Sequence, residues 1–116
     1  MKYFSIYIPA ANNAGRPTGK HKEEMDKFVE KAIKSGELLQ GGGFLSIRDH
    51  GAVLRRANGK TSVIDGPYAE SKELLGGFAM LEFPSREAAI DGARRFLEVA
   101  GDGECVTYQI MEGGGG

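Results

Sequence analysis

The stretch VIDGPYAESKELLGGF, residues 63–78, joins two apolar runs through a Gly66-Pro67 turn, the charged residues Asp65, Glu70, Lys72 and Glu73, and a Gly76-Gly77 pair. Glycine and proline punctuate the backbone, so one regular element ends near Ile64 and another begins near Phe78. Upstream, Ala52 to Arg56 and Thr61 to Ile64 are short β-like runs joined across Asn58-Gly59, the strongest two-residue hairpin signal. Downstream, Phe78 to Phe83 (FAMLEF) reads as a strand. Pro84-Ser85 then opens a helix whose apolar stripe is Ala89, Ala93, Phe96, Leu97 and Ala100, with Gly92 marking close packing. The stretch is therefore the bend that separates an inserted hairpin from a core strand, and its charges stand as either a site or a solvated loop.

Lys2 to Ile8 alternates as a first strand ended by Pro9, and Ala10 to Gly19 is a turn-rich loop. Met25, Phe28, Val29, Ala32 and Ile33 follow helical spacing in an amphipathic helix closed by Gly36. Leu38 to Leu45 is a second strand whose three glycines argue for a bulge or a close backbone approach. Cys105 to Met111 alternates as the last strand. The order β-α-β-(hairpin)-β-α-β is that of an α+β, ferredoxin-like split β-α-β sandwich, with an antiparallel sheet under two helices.

The alternation divides the sheet into two faces. Phe4, Ile6, Ile8, Ala79, Leu81, Phe83, Val106, Tyr108 and Ile110 are apolar enough to lie beneath both helices. The other set, Tyr3, Ser5, Tyr7, Phe78, Met80, Glu82, Thr107, Gln109 and Met111, is too aromatic for plain solvent and too polar for a dry interior. Two sheets packed across that second set would form a homodimer enclosing a small-molecule cavity. The competing reading is a partly exposed sheet face in a monomer.

Composition excludes several classes of function. At 116 residues one domain, residues 1–112, is expected, followed by a glycine tail at 113–116 that lacks side chains to anchor it. Lysine plus arginine (15) nearly balances aspartate plus glutamate (16), which argues against nucleic acid as a partner. No apolar run approaches the roughly 20 residues that cross a bilayer, and the N-terminus lacks a secretory pattern, so a cytoplasmic protein without a membrane partner is expected. Cys105 is the sole cysteine and His21 and His50 the only histidines, so a cysteine/histidine zinc site cannot be assembled within one chain. Gly41-Gly42-Gly43 lacks the context of a dinucleotide fingerprint, and no cofactor is implied.

Residues 65–78 (DGPYAESKELLGGF) resemble the signature of the YCII-related proteins, in the branch named for its Asp-Gly-Pro-Phe tetrapeptide, with Tyr68 in place of the phenylalanine. The segment Gly36 to Leu45, the hairpin from Val53 to Val63, and Ser85-Arg86-Glu87-Ala88-Ala89 extend the resemblance over essentially the whole chain. It implies a ferredoxin-like fold that pairs sheet to sheet as a dimeric α/β barrel. Relatives in the wider group include dehydrochlorinating enzymes of aromatic degradation, and a histidine and an aspartate are the acid/base pair of an enzyme-like branch. This chain has no counterpart of that histidine in its first strand. Thr107-Tyr108-Gln109 also stands where the branch carries a Glu-x-Arg strand.

Asp65 has two readings: a turn carboxylate that accepts backbone N–H groups, or a general base facing the cavity. His21, among Lys20 and Lys22 at the start of the first helix, is the candidate proton carrier beside it. Tyr3, Tyr7, Tyr68, Lys72 and Glu82 are the candidate ligand-binding residues. The tyrosines offer stacking surface with a polar tip, and Lys72 a cation for an acidic ligand. Cys105 reads as a packed structural thiol. The expected function is a dimeric small-molecule-binding or accessory protein; the alternative is a cofactor-independent acid/base lyase or isomerase acting on a small aromatic or carbonyl compound.

Overall fold

The computed structural model describes residues 1–11, 19–64 and 76–112. Its elements are β1 (Lys2–Pro9), α1 (Gly19–Lys34), β2 (Leu38–Gly43), a single helical turn α2 (Ile47–His50), β3 (Val53–Ala57), β4 (Lys60–Ile64), β5 (Gly77–Glu82), α3 (Arg86–Ala100) and β6 (Gly103–Gln109). Four strands form one sheet in the order β2-β5-β1-β6, while β3 and β4 pair separately as a ribbon. Every pairing is antiparallel. Two helices each cross from one strand to a non-neighbour, giving the ferredoxin-like order expected from the sequence.

Local chemistry explains most boundaries. The Ser85 hydroxyl accepts the Ala88 amide at 3.1 Å and caps α3, whose first-turn amides have no partner within the helix. The ribbon turns at Asn58 and Gly59, whose φ angles of 52° and 77° are both positive, as a two-residue hairpin turn requires. Gly92 lies against the Phe83 ring so closely that a Cβ there would come within 2.5 Å of Cζ. Exposed ion pairs from Lys22 to Asp26 and from Glu30 to Lys34 run along α1. The second strand ends at Gly43 rather than Leu45, which leaves Phe44 beyond the strand and stacked near Phe78 at 5.5 Å. Its register shift falls between Leu38 and Gln40, ahead of the glycines. The glycines instead permit close approach: a Cβ on Gly41 would meet the Phe78 carbonyl at 2.9 Å.

The assignment of sheet faces is corrected in β1 and β6. Directly opposed residues share a face, and Tyr3 opposes Leu81, Ser5 opposes Ala79, while Phe4 opposes Met80 and Ile6 opposes Phe78. Tyr3 and Ser5 therefore lie beneath the helices with Ala79, Leu81 and Phe83, and Phe4 and Ile6 lie on the open face with Phe78 and Met80. The same logic places Thr107, opposite Ser5, inside and Val106 and Tyr108 outside. Strand alternation specifies a period of two but not its phase. The inner phase holds because its polar groups find partners: Ser5 Oγ and Thr107 Oγ1 are 2.8 Å apart, and Ser5 is buried. Tyr3 meets Phe83 edge-on at 6.2 Å and joins Ala89 in the core.

Candidate functional site

Above β2 and β5, helix α1 stands off the sheet and leaves a solvent-open cleft of about 1430 Å³. Its roof is the inner stripe of α1, with Met25, Phe28, Val29 and Ala32, and its floor includes Ser5, Leu38, Ala79 and Leu81. Phe96 of α3 closes one side, packing on Phe28 at 6.2 Å and edge-on against Tyr7 at 5.2 Å. The walls are thus largely aromatic and aliphatic, with a few polar groups, which is the usual make-up of a small-ligand site. The volume exceeds the roughly 300–1,000 Å³ of such sites, so a ligand of ordinary size would fill part of it.

The polar groups of the cleft are specific. Glu37 accepts from Arg95 at 3.1 Å, and Asp91 accepts from the same guanidinium at 3.1 Å. The hydrogen bond that Arg95 donates to Glu37 leads a set of interactions that hold its pKa above the ordinary arginine value. Tyr7 points its hydroxyl at the carbonyls that follow α3, donating to Asp102 at 3.0 Å with Gly101 at 3.2 Å. The Asp102 carbonyl also accepts the Ala10 amide at 3.0 Å, so the phenol and that amide together tie the turn after α3 to the end of β1. Gly76 leaves room for the ring, since a Cβ there would come within 2.8 Å of Tyr7 Cδ2. A second groove of about 790 Å³ lies between α3 and β6, lined by Tyr3, Ile90, Leu97, Cys105 and Thr107.

Sequence-derived candidates are only partly brought together. Asp65, Tyr68 and Lys72 lie outside the described residues. His21 is exposed in the first turns of α1 and lines the cleft, as does Tyr7. Tyr3 belongs to the core and to the second groove, not to a space between two sheets. Glu82 is on the open face at the sheet margin, where its carboxylate meets the Met1 amino group at 2.7 Å. His50 is exposed in α2, and Cys105 is half-buried with its sulfur 3.9 Å from Thr107 Oγ1. Phe28 and Phe96 were legible only as core-facing residues of helical stripes, and the Glu37–Arg95 pair, 58 residues apart in sequence, carried no local signal. Among the described residues no three His, Cys, Asp or Glu side chains are grouped to hold a metal ion. Among the same residues no helix is long and apolar enough to cross a membrane.

The open face differs in character. Phe4, Ile6, Ile8, Phe78, Met80 and Val106 are half-buried there, Tyr108 is 58% exposed, and Phe4 packs on Phe78 at 6.1 Å.

Comparison with known proteins supplies the family. The family model described as a YCII-related domain matches residues 1–112. An uncharacterized protein of Rhizobium meliloti (strain 1021) is 49% identical over 43 residues, which are 37% of this chain and 35% of that protein. The match thus spans about a third of the relative's length. Among solved structures, a 5-chloro-2-hydroxyhydroquinone dehydrochlorinase from Burkholderia phenoliruptrix AC1100, in complex with 2,5-dihydroxybenzoquinone, aligns over 97% of this chain and 96% of its own. The TM-score is 0.46 and the identity 13%.

Proposed function

The chain belongs to the YCII-related family, and from that premise we propose that it is a homodimeric small-molecule-binding protein whose ligand lies between α1 and the sheet. The observation that carries the reading is the separation of two surfaces. The cleft combines apolar walls with a few placed polar groups, whereas the open sheet face is an apolar surface suited to a second copy. This moves the ligand site proposed from the sequence from between the two sheets to the helix side of each.

The ligand class that fits is a small, largely planar aromatic or carbonyl compound. Phe28 and Phe96 provide stacking surface, and Ser5 and Cys105 lie on the floor. The resemblance of residues 65–78 to the Asp-Gly-Pro-Phe branch keeps Asp65, Tyr68 and Lys72 as proposed ligand-site residues, although they lie outside the described residues.

Titration of catechol and related phenols by calorimetry tests the reading. Saturable binding is expected in the wild-type protein, with at least about tenfold loss in Ala32→Phe, whose ring occupies the cleft, and no change in oligomeric state. Equal affinity in both proteins would remove the cleft as the site. One observation favours the acid/base enzyme: His21 lines the cleft at the start of α1. Chemical analysis of the titrated ligand separates the two readings. Recovery of unaltered compound supports binding alone, and turnover that disappears in His21→Gln supports chemistry.

A further inference from the structure

Among the described residues β6 is an edge strand whose outer side has no neighbour in the sheet. Two hydrogen bonds just beyond the strand fix which of its backbone groups face outward. The Ile110 amide donates to the Lys2 carbonyl at 2.8 Å, and the Ala10 amide to the Asp102 carbonyl at 3.0 Å. Both continue the β1–β6 register. Bonded and non-bonded pairs alternate along an antiparallel ladder, so the even-numbered residues of β6 bond to β1. Cys105, Thr107 and Gln109 therefore turn their N–H and C=O groups to the outer edge, where such a row is a template for another strand.

The two edges of the sheet differ in how well they resist such pairing. Strand β2 carries a register shift between Leu38 and Gln40, whereas β6 pairs with β1 over seven consecutive residues without one. Strand β6 also contains neither lysine nor proline, the other usual guards of an edge.

The same three residues line the groove of about 790 Å³ between β6 and α3. Contacts with β1 orient that groove. Tyr3 joins Ala89 in the core and opposes Gln109, while Tyr7 packs on Phe96 and opposes Cys105. The first turn of α3, with Arg86, thus lies at the Gln109 end and Leu97 at the Cys105 end. Ile90 and Ala93 line the middle. Of the two arginines on the rim, Arg94 is paired with Asp91 at 3.6 Å, while Arg86 makes no ion pair among the described residues.

We propose that β6 and this groove take an extended peptide segment of another protein as an added strand, antiparallel to β6, with an acidic residue opposite Gln109 and apolar residues opposite Thr107 and Cys105. Opposed residues share a face, so these three side chains enter the groove in that order, the carboxylate toward Arg86 and the apolar groups over Ile90, Ala93 and Leu97. Main-chain bonds supply the affinity and the alternate side chains the selectivity. The site depends on neither the cleft ligand nor the homodimer.

The test is fluorescence anisotropy with a labelled, end-blocked heptapeptide of sequence TETLTVT, combined with amide hydrogen exchange on the full chain. Saturable binding with a Kd below about 1 mM is expected, and the Cys105, Thr107 and Gln109 amides are expected to exchange more slowly in the complex. Methylating the leucine amide of the peptide removes its bond to the Thr107 carbonyl and keeps the side chains, and is expected to weaken binding at least about tenfold. Arg86→Glu is expected to weaken it at least about fivefold, and a peptide with lysine in place of the glutamate to recover the loss. Absence of saturable binding, equal affinity for the methylated peptide, or protection confined to other amides would overturn the proposal. Protection of the three amides that rises with protein concentration in the absence of peptide would put a second copy of this chain at the edge, and would overturn it as well.

Discussion

The two faces of the main sheet invert the usual relation between polarity and burial. Beneath the helices lie Tyr3, Ser5, Tyr7 and Thr107, and each polar atom of Ser5, Thr107 and Tyr7 has a partner within the chain. On the open side lie Phe4, Ile6, Phe78, Met80 and Val106, which need no hydrogen bonds and are only half covered. A hydroxyl costs little inside when it is satisfied, whereas an apolar surface left in water costs free energy in proportion to its area. The hydroxyls of the inner face are therefore satisfied within one chain, and the outer face offers apolar surface to a second one. The residues that look like a ligand site by composition hold the sandwich together, and those that look like a core form the expected interface.

The largest effect is expected where the outer face is broken. Met80→Asp puts a carboxylate at the centre of that face, opposite Phe4. The monomer tolerates it because the position is half-exposed, but the dimer must desolvate it. A dimer at least about 100-fold weaker, or about 2.7 kcal/mol, is expected by light scattering across a dilution series. A dimer of unchanged strength would show that the outer face is not the interface.

A smaller effect is expected on the inner face. Tyr7→Phe keeps the ring against Phe96 and removes the donor to the carbonyls in the turn that follows α3. A loss of about 1 kcal/mol in urea unfolding, with ligand affinity unchanged, fits a structural clamp. If stability held and affinity for phenols fell, the hydroxyl would belong to the ligand instead.

The fold was legible because its signals are local. Ser85 before an apolar helical stripe, Asn58-Gly59 between two β-like runs, and the four alternating segments give the element order without knowledge of contacts. Gly92 was readable as a packing glycine, and Phe83 proves to be what it admits. The phase of β1 was not legible, since tyrosine and phenylalanine alternate along it and hydropathy alone favours burying Phe4 and Ile6. Pairing with β5, whose Ala79 and Leu81 face the helices, decides the matter through register. The cleft depends on how far α1 stands from the sheet, which no periodicity encodes. Glu82 read as a cavity carboxylate, yet its partner is the amino group of Met1, brought near by the β1–β5 pairing.

Methyl NMR of the protein during titration with catechol tests the separate roles proposed for the two faces. Shifts confined to Val29, Ala32, Ala79 and Leu81, with Ile6, Met80 and Val106 unmoved, are the result expected for a ligand on the helix side and a partner on the open side. Shifts confined to Ile6, Met80 and Val106 would place the ligand between the two sheets and contradict the account.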